Sequence, residues 1–145
     1  MTDGGPATLN LLVRTIRYEA PNIVSIELVH PDGEALPHHE AGAHVDLTLP
    51  NGLARSYSLF ETSDRASFWV AVLRDRESRG GSAWIHDRLR PGAVLPVAPP
   101  TNNFALVDPD GPTVLIAGGI GVTPVLAQLR ALVAAGNRDV AMLYA

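Results

Sequence analysis

Val114-Leu115-Ile116-Ala117-Gly118-Gly119-Ile120-Gly121-Val122-Thr123-Pro124 decides the fold: an apolar run enters a glycine-rich turn, and a helix opens behind it. Val114 to Ala117 is apolar on both faces, the composition of a strand buried between helix layers. Gly118, Gly119 and Gly121 let the backbone turn tightly and leave room for a ligand to reach main-chain N–H groups, while Pro124 suits a first helical turn. Alone, such a turn reads two ways, as the start of a nucleotide-binding unit or as an ordinary strand-to-helix connection. Behind it, Val122, Val125, Leu126, Leu129, Leu132 and Val133 form one apolar stripe, Gly136-Asn137 stops the helix, and 140–144 is a second apolar strand. The segment from 113 onward is therefore one β-α-β unit, the opening of a parallel doubly wound sheet.

Upstream the pattern differs. Short β-rich runs at 9–17, 23–30, 44–49, 55–60, 68–73 and 94–97 are separated by turn residues, among them Pro31-Asp32-Gly33 and Pro50-Asn51-Gly52. In 23–30, Val24, Ile26 and Leu28 alternate with Ser25, Glu27 and Val29. Six such strands predict an antiparallel barrel. One helix interrupts them, with Ser82 as N-cap, Ile85 and Leu89 one turn apart, and Pro91-Gly92 as its end. Pro99-Pro100, Asn102-Asn103 and the stretch 108–112 mark the change of regime, dividing the chain into 1–107 and 108–145.

With 145 residues, 46% of them hydrophobic and 18% charged, the chain is long enough for a small barrel plus a further fragment. Its net charge of −4 argues against a nucleic-acid partner, whose electrostatic footprint is basic. All 11 basic residues are arginine. Cysteine is absent, so thiolate nucleophiles, disulfides and thiolate-ligated iron–sulfur centres are excluded on this chain. No apolar stretch approaches the roughly 20 residues that span a bilayer, and Met1 to Asn10 carries no signal pattern, which predicts a cytoplasmic protein.

Two further segments have ligand-binding chemistry. In Arg55-Ser56-Tyr57-Ser58-Leu59, strand alternation sends Arg55, Tyr57 and Leu59 to one side and Ser56 and Ser58 to the other. An arginine can fork onto phosphate, a tyrosine can pack on a flat ring, and a serine hydroxyl can bond a ring nitrogen; a half-buried strand with a surface arginine is the plain alternative. Ser78-Arg79-Gly80-Gly81-Ser82 runs straight into the short helix, where open N–H groups and the helix dipole suit a phosphate; a glycine linker with a capping serine is the plain alternative.

Arg55-x-Tyr57-Ser58, Gly80-Gly81-Ser82, Pro100-x-Asn102-x-Phe104 and Gly118 to Pro124, in that order and spacing, resemble the ferredoxin reductase superfamily over nearly the whole chain. Ala41-Gly42-Ala43-His44-Val45-Asp46 and Ser78 to Ser82 are most similar to its phthalate dioxygenase reductase and vanillate demethylase reductase branch. Ser56 and Thr101 depart from it, standing where a glutamine and an arginine are expected. The resemblance implies a flavin in the barrel, with FMN usual in this branch and FAD in many relatives, and NADH or NADPH as electron donor. Arg55 and Gly80, Gly81 and Ser82 would hold the flavin phosphate, with Arg79 as a phosphate neighbour. Tyr57 would pack on the ring, and Ser58, the candidate catalytic residue, would lie near its reactive nitrogen. Gly118, Gly119, Gly121, Val122, Thr123 and Pro124 would face the nicotinamide and pyrophosphate. Hydride would pass from nicotinamide to flavin, and single electrons onward to an iron–sulfur domain or an oxygenase component outside this chain.

Two rivals accompany this reading: a flavin-binding fragment without turnover, its nucleotide domain being incomplete at Ala145, and an FAD-dependent siderophore- or NADPH-type reductase relative. No metal site is expected. His38-His39-Glu40 is expected to be loop. His44 and His86 are expected to have structural polar roles, Trp69 and Trp84 to be core, and Arg74, Arg76 and Arg79 to sit in a solvated turn. Strands 113–117 and 140–144 with a single helix leave a sheet face and an edge uncovered, so dimerisation, aggregation or a tail of marginal stability is expected.

Overall fold

The computed structural model describes residues 7–61, 64–108 and 110–145. The first six residues of the Met1 to Asn10 stretch, and Pro109 within 108–112, lie outside the described residues.

The barrel is built from β1 (Leu9–Ala20), β2 (Ile23–Val29), β3 (Ala43–Thr48), β4 (Ala54–Ser58), β5 (Ser67–Leu73) and β6 (Val94–Val97), hydrogen-bonded in the order β4-β3-β6-β1-β2-β5. A bridge between Leu59 and Val70 joins the two ends of that order. The six expected strands are present, and a two-residue seventh, β7 (Thr101–Asn102), is added against β3. The β1–β2 hairpin turns at Pro21-Asn22, where Asn22 takes φ 63 behind a proline of fixed φ.

Leu11, Ile26, Leu28, Leu47, Leu59 and Phe68 fill the interior. The opposite face of β2 is covered rather than solvated. Glu27 is buried there, accepting hydrogen bonds from Arg14 Nε at 3.0 Å and Thr15 Oγ1 at 2.7 Å. The Arg14 bonds hold its carboxyl below the ordinary range against the opposing effect of burial.

Helix α1 (Gly81–Arg88) follows β5 and packs Ile85 and Leu89 into the barrel core. Ser82 is not its N-cap. Gly80, at φ 103, fills that place, so the chain enters the helix one residue earlier than the serine. Ser78 Oγ reaches round instead, accepting from the N–H groups of Gly80 and Ala83, both at 3.2 Å.

The remainder is β8 (Thr113–Ala117), a 3-10 turn at Gly119–Gly121, α2 (Val122–Ala134) and β9 (Val140–Tyr144), with β8 and β9 parallel as expected. Gly136 ends α2 at φ 85, and Asn137 N–H bonds back to Leu132 O. Leu115 and Ala117 pack with Val125 and Leu132 in a second core. Only that face of β8 is covered: Val114 and Ile116 are 64% and 71% exposed, so burial on both faces, which the composition suggests, is not met. Leu143 lies on the same open face, opposite Ile116. Val133 also departs from the expected stripe, pointing to solvent, while Gln128 is buried in its stead.

Candidate functional site

The β3–β4 register sets the site. Val45 pairs with Tyr57 and Leu47 with Arg55, while His44 pairs with Ser58 and Asp46 with Ser56. Directly opposed residues of an antiparallel pair share a face, so the expected division of Arg55 and Tyr57 from Ser56 and Ser58 is found. Tyr57 packs against the barrel core, and its burial pushes the phenol above its ordinary range, Arg55 pulling weakly the other way. Tyr57 is therefore a neutral ring with a hydroxyl at its end. Ser56 Oγ donates to Asp46 Oδ1.

Arg55 reaches the start of α1. Its stem lies across Gly81: a Cβ built there would be 2.7 Å from Arg55 Nε and 2.9 Å from Cγ. Any larger residue at 81 would lift the guanidinium away, so the paired glycines of the sequence motif serve a close approach. Arg55 Nη1 donates to Ala54 O at 2.8 Å, and Asn51 Nδ2 ties the neighbouring Gly80 carbonyl at 3.0 Å. A guanidinium beside the positive end of a helix is an anion receptacle.

The glycine turn stands against the same strand. Ser56, Tyr57 and Ser58 line a cavity of about 370 Å³ together with Gly121, Thr123 and Pro124. A neighbouring cavity of about 350 Å³ joins Ser56, Ser58 and Pro124 to His44 and Phe104. On the far side of the turn a third cleft, also about 350 Å³, runs from Ala71 past Gly119, Val122 and Thr123 to Tyr144. Tyr144 Oη donates to Gly119 O at 3.2 Å, and Gly119 N–H bonds to Ala145 O. The end of β9 thus holds the turn in place.

Six expected contributors line none of the three cavities: Arg55, Gly80 and Gly81, which meet at the start of α1, and Arg79, Ser82 and Gly118. Arg79 is exposed. The Ser82 hydroxyl accepts from Asp75 N–H at 3.0 Å, and Gly118 is an extended residue ahead of the turn. The histidines are structural in part: His86 Nε2 bonds Val72 O at 2.9 Å and fastens α1 to β5. His39 lies in irregular chain as expected, yet its ring is buried, bonded to Glu61 O and edge-on to Phe68. His44, by contrast, lines a cavity. Trp84 packs on the core, whereas Trp69 sits half-buried on the barrel wall beneath the Arg17 guanidinium, 4.8 Å from its ring. Arg74 is bridged to Asp87 rather than simply solvated. Among the described residues no cluster of three or more His, Asp or Glu side chains offers a metal site, and no helix is long and apolar enough to cross a membrane.

Sequence reading missed Tyr144, Gln128 and Arg130. The first lay in an apolar strand, and the others in a helix read only for its apolar stripe.

No protein-family model matches the chain. It is similar to a tetrachlorobenzoquinone reductase of Sphingobium chlorophenolicum, 44% identical over 127 residues, covering 87% of this chain and 39% of that protein. It is likewise similar to a phthalate 4,5-dioxygenase oxygenase reductase subunit of Pseudomonas putida, 38% identical over 143 residues, covering 98% of this chain and 44% of that one. Among solved structures it is similar to phthalate dioxygenase reductase, described as a modular structure for electron transfer from pyridine nucleotides to [2Fe-2S]. There the TM-score is 0.91 at 38% identity, covering 95% of this chain and 43% of that one. The chain thus spans roughly two fifths of the length of these relatives.

Proposed function

We propose, for a chain that belongs to the ferredoxin reductase-like family, that its barrel holds a flavin and its glycine turn brings a nicotinamide to it. The observation that carries this reading is the cavity shared by Ser56 to Ser58 and Gly121 to Pro124, which joins two motifs more than 60 residues apart in one cleft. The residues fit a flavin mononucleotide: Arg55 over Gly81 at the start of α1 for the phosphate, the half-buried Tyr57 for the ring, and the Ser58 hydroxyl for a ring nitrogen. A flavin would supply the conversion between two-electron and one-electron chemistry that no side chain here provides. Arg55 binds by charge, Tyr57 covers a face, Ser58 orients the ring, and the turn at 118–124 gives a nicotinamide an approach lined by main chain.

In this reading electrons enter from NADH or NADPH and leave to an iron–sulfur domain or oxygenase component, as in the relatives whose names state such systems. FMN is the proposed flavin and FAD the alternative, since one similar solved structure, 26% identical, is described as an FAD/NAD binding domain. Mass spectrometry of flavin released by denaturation is expected to return FMN, and anaerobic mixing of the loaded protein with NADH to abolish the flavin's visible absorbance. Release of FAD would move the protein to the alternative. A bound flavin that NADH fails to bleach would leave a binding module without turnover.

The open face of Val114, Ile116 and Leu143 adds a separate proposal, self-association of the 145-residue polypeptide. Light scattering is expected to give more than a monomer's mass, and Ile116→Lys to reduce it. A monomer at all concentrations would refute it.

A further inference from the structure

Two polar side chains of α2 end on main-chain carbonyls of the barrel side. Gln128 is 3% exposed, in a helix whose other buried side chains are Val125, Ala127 and Leu132. Its Nε2 donates to Phe104 O at 2.6 Å. A primary amide buried among apolar groups is costly unless bonded, so this contact decides where the residue, and its helix, can sit.

The acceptor is itself fixed. Asn102 Oδ1 takes the Phe104 N–H at 3.0 Å, and Asn102 Nδ2 donates to Ala41 O at 3.1 Å. The Phe104 carbonyl rests over Gly42, where a Cβ would be only 2.0 Å from its oxygen. Phe104 in turn lines the cavity that holds Ser56, Ser58 and Pro124. Two residues beyond Gln128, Arg130 Nη1 donates to Phe60 O at 2.9 Å and pairs with Glu61. Phe60 lies two residues beyond the end of the strand that carries Tyr57 and Ser58.

Helix α2 is therefore tied at two points to segments on either side of the candidate flavin strand. The glycine turn is the lead-in to that same helix, and a hydrogen-bonded helix transmits position rigidly over its few turns. We propose that Gln128 and Arg130 form a two-point clamp that sets the separation of the 119–124 turn from Ser56 to Ser58. On the proposed function, on which this rests, the clamp governs how closely a nicotinamide approaches a flavin. Both act through the helix rather than on the reacting groups: Gln128 lines none of the three cavities, and Arg130 lines the cleft that runs past Gly119 and Thr123 but not the cavity shared by Tyr57 and Thr123.

The absence of cysteine allows nitroxide pairs to be placed without background at two exposed sites, Thr48 on β3 and Ala134 on α2. Pulsed electron spin resonance then reads the barrel-to-α2 distance distribution in the flavin-free protein. Gln128→Met keeps length and apolar packing but removes the donor. It is expected to broaden or shift that distribution and to slow flavin reduction at saturating NADH about tenfold, misplacement of reacting groups being costly in rate, while FMN affinity stays within about twofold.

Arg130→Gln, at an exposed position, is expected to move the same readouts in the same direction, and it carries the test if Gln128→Met does not fold. An unchanged distance distribution in the folded variants overturns the clamp. Failure of the unmutated protein to bind FMN would instead refute the proposed function, with the distance measurement still judging the clamp.

Discussion

Arg55→Ala is expected to weaken FMN binding by about thirty- to a hundredfold, the loss of a charge-assisted contact of about 2–3 kcal/mol. The reason is local. Arg55 lies across Gly81 at the first turn of α1, so the substitution removes the guanidinium while leaving the helix end intact. Because Arg55 is only half-buried on β4, the flavin-free protein should keep its stability within about 1 kcal/mol. Arg55→Lys restores charge without the planar fork and should recover only part of the affinity. Fluorescence titration with FMN measures all three. Equal affinity in the unmutated and alanine forms would remove Arg55 from the site.

Gly42→Ala is expected to be the most damaging single substitution for stability, at about 3–5 kcal/mol, the sum of an imposed left-handed conformation and overpacking. Gly42 has φ +98, and its added methyl would meet the Phe104 carbonyl oxygen at 2.0 Å. Main chain on both sides leaves nothing that can rotate away. The same atom accepts from Gln128, so the barrel and α2 are disturbed together. Gly33→Ala is the control: its φ of +77 carries the conformational cost, but no atom lies within 4 Å of the added methyl. It should cost about 1 kcal/mol. Urea denaturation separates the two, and equal losses would show that the approach of Phe104 to Gly42 is unimportant.

Much of this architecture could be read from the chain because local signals agree with the fold. The barrel strands announce themselves by alternation between turn residues, and the glycine turn at 118–124 sits between an apolar strand and a helical stripe, as found. Ser82 misled because serine favours an N-cap, whereas Gly80 can adopt a left-handed conformation and starts the helix sooner. Val133 misled because it completes an apolar period yet lies on the exposed side of the helix, away from the Leu115, Val125 and Leu132 cluster.

Gln128 and Arg130 were hidden for a different reason. Their worth lies in bonds to carbonyls 24 and 70 residues away, and a main-chain acceptor has no side-chain signature in sequence. Tyr144 likewise gains its place only when β9 pairs with β8 and its hydroxyl meets Gly119 O. A polar residue inside an otherwise apolar helical stripe is the one available hint for Gln128.

Thermal unfolding of the 145-residue polypeptide with and without FMN tests most directly whether its barrel is a flavin site. At a free concentration of about a hundred times Kd, binding to the folded state alone adds about 2.7 kcal/mol. For a chain of this size that raises Tm by about 5–10 °C. The shift should fall to about 1–3 °C in Arg55→Ala at the same concentration, where FMN stands at only about one to three times the weakened Kd. An unchanged Tm with saturating FMN and with saturating FAD would contradict the account.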